Sequence, residues 1–121
     1  MGRVVTSGTK RPVVSVRRSM TVLETLEVMR EARVEAAVVL DDGRPVGIFT
    51  ERDVVTKVVL ARRDASTTRV AEVMTSPVLP VRKDASVDEA LQLMRDRHIR
   101  HLPVVDDEGK VLGMLSLRHV L

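Results

Sequence analysis

The chain has 121 residues, a formal net charge of +3, 44% hydrophobic and 31% charged residues, which suits one compact domain able to bury a core without staples. It has no cysteine, so disulfides, thiol chemistry and thiolate zinc sites are excluded. Phe49 is its only aromatic, leaving Val, Leu, Ile, Ala and Met to fill the interior. Residues 1–9 read as an N-terminal arm; no apolar h-region of a signal peptide is seen there, and no apolar run approaches the ~20 residues needed to cross a bilayer. A cytoplasmic address without membrane contact is therefore expected. The basic excess falls in the first half, where Arg3, Lys10, Arg11, Arg17 and Arg18 crowd the N-terminal end. Such an excess attracts phosphates or a nucleic-acid backbone.

From Arg11 the chain reads as a short apolar stretch opened by Pro12, which suits an edge strand. Thr21 and Glu24 then form a capping-box pattern, and Val22, Leu26 and Met29 recur at helical spacing, predicting a helix with one face toward a core. Ala36–Leu40 and Arg44–Ile48 flank Asp41-Asp42-Gly43, the signal of a β-hairpin. A second helix is expected from Thr50. Arg62–Thr68 is polar and reads as the connection, and Arg69–Met74 as a short helix leading onward.

The same order then repeats with an offset of about 65 residues. Arg11–Arg18 aligns with Ser76–Lys83, and Thr21–Arg30 with Ser86–Arg95. Ser86 and Glu89 renew the capping pattern; Val87, Leu91 and Met94 renew the apolar face. Glu108 is one extra residue in the second hairpin, whose expected strands are Leu102–Val105 and Val111–Leu115, and a helix is expected from Ser116. The predicted architecture is α/β, two β-α-β-β-α repeats at 10–63 and 69–121 joined by a linker at 64–68. A single repeat would leave its small sheet exposed, so two are expected to pack together.

These residues resemble the CBS family, named after cystathionine β-synthase. The resemblance rests on Met74-Thr75, on Ser86, Glu89, Ala90 and Met94, on Ile99 with Leu102-Pro103-Val104-Val105-Asp106, and on Gly113. Gly47-Ile48-Phe49-Thr50-Glu51-Arg52-Asp53 is similar to the family's ligand signature, glycine, apolar, any residue, Thr or Ser, two residues, Asp. The resemblance implies a pseudo-twofold pair of repeats with two clefts that commonly hold AMP, ADP, ATP or S-adenosylmethionine. It also implies a regulatory role toward some other protein and assembly into a homodimer.

Thr50 stands where a strand turns into a helix, a place suited to phosphate. Asp53 follows one turn later on the same face, where a carboxylate can accept two hydrogen bonds from a ribose diol, the role the resemblance gives it. A plainer role is also open, Thr50 as N-cap and Asp53 favouring the helix dipole. By the same resemblance, Ile48, Val78 and Leu79 surround an adenine, while Arg100, His101 and Pro103 approach the phosphates. His101 stands where relatives often carry arginine; protonated, it would pair with phosphate and raise affinity at low pH. His98 reads as a solvated helix end. Glu35 takes a position where some relatives place a phosphate-binding arginine, which would favour fewer phosphates, a metal-bridged nucleotide or a ligand without phosphate; the plainer reading is a solvated carboxylate.

The second copy of the signature ends Ser116-Leu117-Arg118-His119. A neutral imidazole has one good acceptor and grips a diol less well than a carboxylate. The second cleft, which the resemblance would line with Arg11, Val13, Val14, Met114, Ser116, Arg118 and His119, is therefore expected to be weak, empty or specific for something else.

No nucleophile elbow, P-loop, HExxH or histidine–carboxylate metal cluster is present, so no enzyme, catalytic residue, metal or resident cofactor is expected. The acidic runs Asp41-Asp42 and Asp106-Asp107-Glu108 fall in hairpin turns and read as solvated. The rival readings are a structural dimerisation module with unused clefts and a nucleic-acid module. The latter is disfavoured because stacking aromatics are lacking.

Overall fold

The computed structural model describes residues 13–120, the side chains of His119 and Val120 excepted. The N-terminal arm and Arg11 lie outside the described residues. The fold is mixed α/β, with two three-stranded sheets. The chain divides into two compact units, one running Val14–Val78 and the other from Leu79 onward.

In the first unit β1 (Ser15–Arg17) lies parallel to β2 (Ala36–Asp41), which pairs antiparallel with β3 (Arg44–Thr50). β1 is the edge strand that Pro12 signalled. The β1–β2 crossover is α1 (Val22–Ala32), and its start is the predicted capping box, Thr21 Oγ1 accepting from Glu24 N and Glu24 accepting from Thr21 N. Its buried face is Val22, Thr25 and Met29, with Leu26 half-buried at the margin. The turn-by-turn face thus runs through Thr25, whose hydroxyl donates to Thr21 O at 2.9 Å and so enters the core with its polar atom satisfied. Phe49 is fully buried beside Val16, Val22, Met29, Ala37 and Val39.

The segment read as a linker belongs to this unit. Val22 N donates to Thr68 O at 2.8 Å and Leu23 N to Ala65 O at 3.0 Å, so residues 64–68 satisfy the open N-terminus of α1. α3 (Val70–Val73) buries Val70 and Val73 in the same core. Sequence similarity begins the second repeat at 69; packing divides the chain ten residues later, at 78/79.

The second unit repeats the plan. β4 (Val81–Arg82) is parallel to β5 (His101–Val105), which is antiparallel to β6 (Val111–Ser116), with α4 (Val87–Arg97) as crossover. Its core is Val81, Val87, Ala90, Met94, Leu102, Val104 and Leu115. The correspondence reaches irregular features. Each hairpin has a bulge at the same place, between Val39 and Leu40 and between Val104 and Val105, and opposite it sits a glycine, Gly47 or Gly113. Each long helix ends in a left-handed residue, Arg33 (φ 57°) or His98 (φ 55°). His98 is an exposed helix cap, as expected.

Candidate functional site

The turn from β3 into α2 (Glu51–Asp53) is where the local chemistry concentrates. β3 ends at Thr50, whose backbone is still extended (φ −124°, ψ 166°). Thr50 Oγ1 accepts from Asp53 N at 3.3 Å, and Asp53 Oδ2 accepts from Thr50 N at 3.0 Å and Thr50 Oγ1 at 3.2 Å. The capping role open to this pair is therefore formed. It does not account for the whole of Asp53, however. The residue is only 6% exposed, an uncommon state for a carboxylate unless it is paired.

Its second oxygen, Oδ1, accepts from Thr75 Oγ1 at 3.2 Å and lies 3.2 Å from Lys57 Nζ. Lys57 Nζ also donates to Thr75 Oγ1 at 3.2 Å, closing a triangle of ammonium, hydroxyl and carboxylate. Among the described residues no buried side-chain polar atom lacks a partner. Neither Lys57 nor Thr75 was a predicted site residue. Lys57 was legible in principle, as the cation four residues beyond Asp53 on a helix. Thr75 belongs to the Met74-Thr75 pair that resembles the family's, but nothing in the sequence says that it reaches Asp53.

Two features bring Thr75 there. Residues Ile48 and Thr75 form an antiparallel bridge, Ile48 N to Thr75 O at 3.0 Å and Thr75 N to Ile48 O at 2.8 Å. Gly47 lies beside this bridge, and a Cβ there would run into the side chain of Met74, the residue before Thr75. The glycine of the signature is thus a packing requirement. Beyond Asp53 the helix widens into a π-helix, Val54–Val59, with Leu60 N donating to Val55 O, a form frequent at functional sites.

Of the residues expected around a nucleotide, Ile48, Thr50, Asp53 and Val78 belong to the first unit, and Leu79, Arg100, His101 and Pro103 to the second. The first unit brings Thr50 and Asp53 into direct contact; Ile48 is buried and Val78 half-buried. In the second unit Pro103 is buried, His101 half-buried and Arg100 exposed. Exposed Glu35 gives its carbonyl to Glu51 N at 3.2 Å. Together with Glu51, Arg30 and Arg33 it lines an open concavity of about 390 Å³, so two guanidinium groups share that surface with the two acids.

At the second copy of the turn, β6 ends at Ser116, buried to 7%, and α5 (Leu117–Val120) follows. Leu117 N donates to Arg100 O at 2.8 Å, the counterpart of the Glu51–Glu35 bond. Of the residues expected around the second cleft, Val13 is half-buried, Val14 buried, Met114 half-buried and Arg118 exposed. Arg11 and the side chain of His119 lie outside the described residues. Among the described residues no group of three or more His, Cys, Asp or Glu is placed to hold a metal, and no helix is long and apolar enough to cross a membrane.

Comparison with known proteins agrees with this plan. The CBS domain model matches residues 4–60 and 70–121. An uncharacterised protein of Methanopyrus kandleri is 36% identical over 93% of this chain. The chain spans 58% of that relative's length and 51% or less of several others. Among solved structures, a protein with CBS domains from Burkholderia ambifaria is 36% identical with a TM-score of 0.87, the match covering 97% of this chain and 90% of that one. A CBS domain protein from Pyrobaculum aerophilum, complexed with AMP, is 30% identical with a TM-score of 0.88, covering 98% and 90% of the two chains. Two matched repeats, two like sheets and a shared turn signature place this chain in the CBS domain family, as a tandem pair of CBS repeats.

Proposed function

We propose that this chain is a non-catalytic sensing module that binds an adenine nucleotide, AMP, ADP or ATP, with the Thr50–Asp53 turn holding the ribose. CBS pairs are regulatory ligand-binding modules, and a relative of nearly the same length is complexed with AMP. The observation that carries the reading is the Asp53 carboxylate: buried, ringed by hydroxyl and ammonium groups, and hydrogen-bonded at a strand-to-helix turn. A ribose diol offers O–H donors to Oδ1, where Thr75 Oγ1 and Lys57 Nζ now sit. The base and phosphate contacts stay with the residues expected from sequence, Ile48, Val78 and Leu79 for the ring and Arg100, His101 and Pro103 for the phosphates. The regulated partner is a separate protein or an attached segment, the chain acts as a homodimer, and its address is cytoplasmic.

The test is a thermal-shift panel of AMP, ADP, ATP, NAD and S-adenosylmethionine on the wild type and on Asp53→Ala. A nucleotide at a hundred times its Kd should add about 2.7 kcal/mol to the wild type and nothing to the variant. If no adenylate raises Tm, or if Asp53→Ala keeps the shift, the reading fails. S-adenosylmethionine as the only stabiliser would move the ligand from a phosphorylated adenylate to a sulfonium one.

A further inference from the structure

A carboxylate has about four acceptor directions, and at Asp53 three carry hydrogen bonds, from Thr50 N and Thr50 Oγ1 to Oδ2 and from Thr75 Oγ1 to Oδ1, while the Lys57 ammonium sits 3.2 Å from Oδ1 as an ion pair. A ribose diol therefore cannot reach this group without displacing something. The Thr50 bonds hold the start of the helix and belong to the fold. The Oδ1 side is different. Thr75 Oγ1 is a rotor, and Lys57 is a long, flexible side chain 41% exposed, against 8% for the Asp53 side chain. The carboxylate is buried and bonded through both oxygens, while the ammonium ends a side chain in contact with water. An ion pair with one side so open to water is weak, so a ligand can replace it.

The turn carries Glu51, Arg52 and Asp53, and of the two nearby cations it is Lys57, not Arg52, that the structure pairs with Asp53. Once displaced by a diol, its ammonium stays on the same helix turn with three donors and no acceptor. A ligand that brings its own anion satisfies it; a neutral ligand leaves it to water. We propose that Lys57 is a specificity-determining residue: it pairs with Asp53 in the empty protein and moves to an anionic group of the ligand in the occupied one, so the site discriminates a nucleotide from its neutral nucleoside.

This inference rests on the adenylate reading above and is separable from it by experiment. Calorimetric titration of AMP and of adenosine into wild type, Lys57→Met and Lys57→Arg gives the ratio of the two affinities for each protein. In Lys57→Met, adenosine should bind several-fold tighter, because its diol no longer competes with an ammonium, and AMP several-fold weaker, because its anion has lost a partner. The preference for AMP should fall about tenfold, and Lys57→Arg should restore most of it. A preference unchanged within twofold in Lys57→Met overturns the role of Lys57 while leaving the adenylate reading in place. Wild-type protein that binds neither compound overturns both.

Discussion

The turn from β3 into α2 and the turn from β6 into α5 share a backbone and differ in charge. Each strand ends in a hydroxyl residue, Thr50 or Ser116, and each following helix hangs its first N–H on the carbonyl just before the central strand, Glu35 or Arg100. Yet the side chain at that carbonyl is an acid in the first repeat and a base in the second. The residue three beyond the hydroxyl is likewise Asp53 in one and His119 in the other. Duplication has kept the elements that hold each sheet together, down to the bulge and its opposing glycine, and has let the chemistry diverge. A fold supplies two equivalent places for a ligand; side chains decide what each can take.

The cores should answer alike to large truncations. Phe49 is fully buried in the first core, and Leu115, at the equivalent position, is fully buried in the second. Phe49→Ala should cost about 3–5 kcal/mol and Leu115→Ala about 2–5 kcal/mol of unfolding free energy in urea denaturation followed by circular dichroism. A loss below about 1 kcal/mol in either would say that its repeat is not built around that side chain.

The turns should answer differently. Asp53→His gives the first turn the residue of the second. It should abolish adenylate binding and cost about 1.5–3 kcal/mol, because Thr50 N, Thr75 Oγ1 and Lys57 lose a buried charged acceptor. His119→Asp restores the acid to the second turn and should raise calorimetric stoichiometry from one nucleotide per chain toward two. Two equal sites in the wild type, both surviving until Asp53 and His119 are each replaced, would break the comparison itself.

How far this difference could be read in advance varied along the chain. The 65-residue offset carried the architecture because every element recurs with its own capping residue, apolar face and Asp-Gly or Asp-rich turn. Thr50 and Asp53 were legible because they complete the signature Gly47–Asp53 that resembles the family's, at the spacing of an N-cap and its third helical residue. The rest of the network was not. Thr75 lies 22 residues beyond Asp53 and reaches it through a backbone bridge to Ile48, beside Gly47, where a Cβ would run into the Met74 side chain. Residues 64–68 looked like a solvated linker because their side chains are mostly polar. It is the backbone carbonyls of Ala65 and Thr68 that act, capping α1, and carbonyls leave no mark on composition. Val70 and Val73 open the second repeat by sequence similarity, while their side chains pack in the first core.

The smallest expected difference concerns the starts of α1 and α4. Thr21 and Glu24 close a full capping box, Glu24 accepting from Thr21 N at 2.9 Å; at the start of α4, Ser86 Oγ accepts from Glu89 N at 3.1 Å without a return bond. The hydrogen bond from the Thr21 backbone holds the Glu24 carboxyl below its usual range, its charged form being the one the box needs. The unfolded chain thus takes up this proton at a higher pH than the folded one. The stabilisation from Glu24 is complete above the ordinary glutamate range and disappears as pH falls through the lower, folded value. Glu24→Gln keeps an acceptor at N3 but removes the titration. The variant should therefore melt slightly below the wild type at pH 7, and the gap should close on acidification below about pH 4, the ordinary glutamate range. A gap that persists unchanged at low pH would mean that the carboxylate contributes nothing through its charge, and that the two helix starts are held equally by their hydroxyl caps.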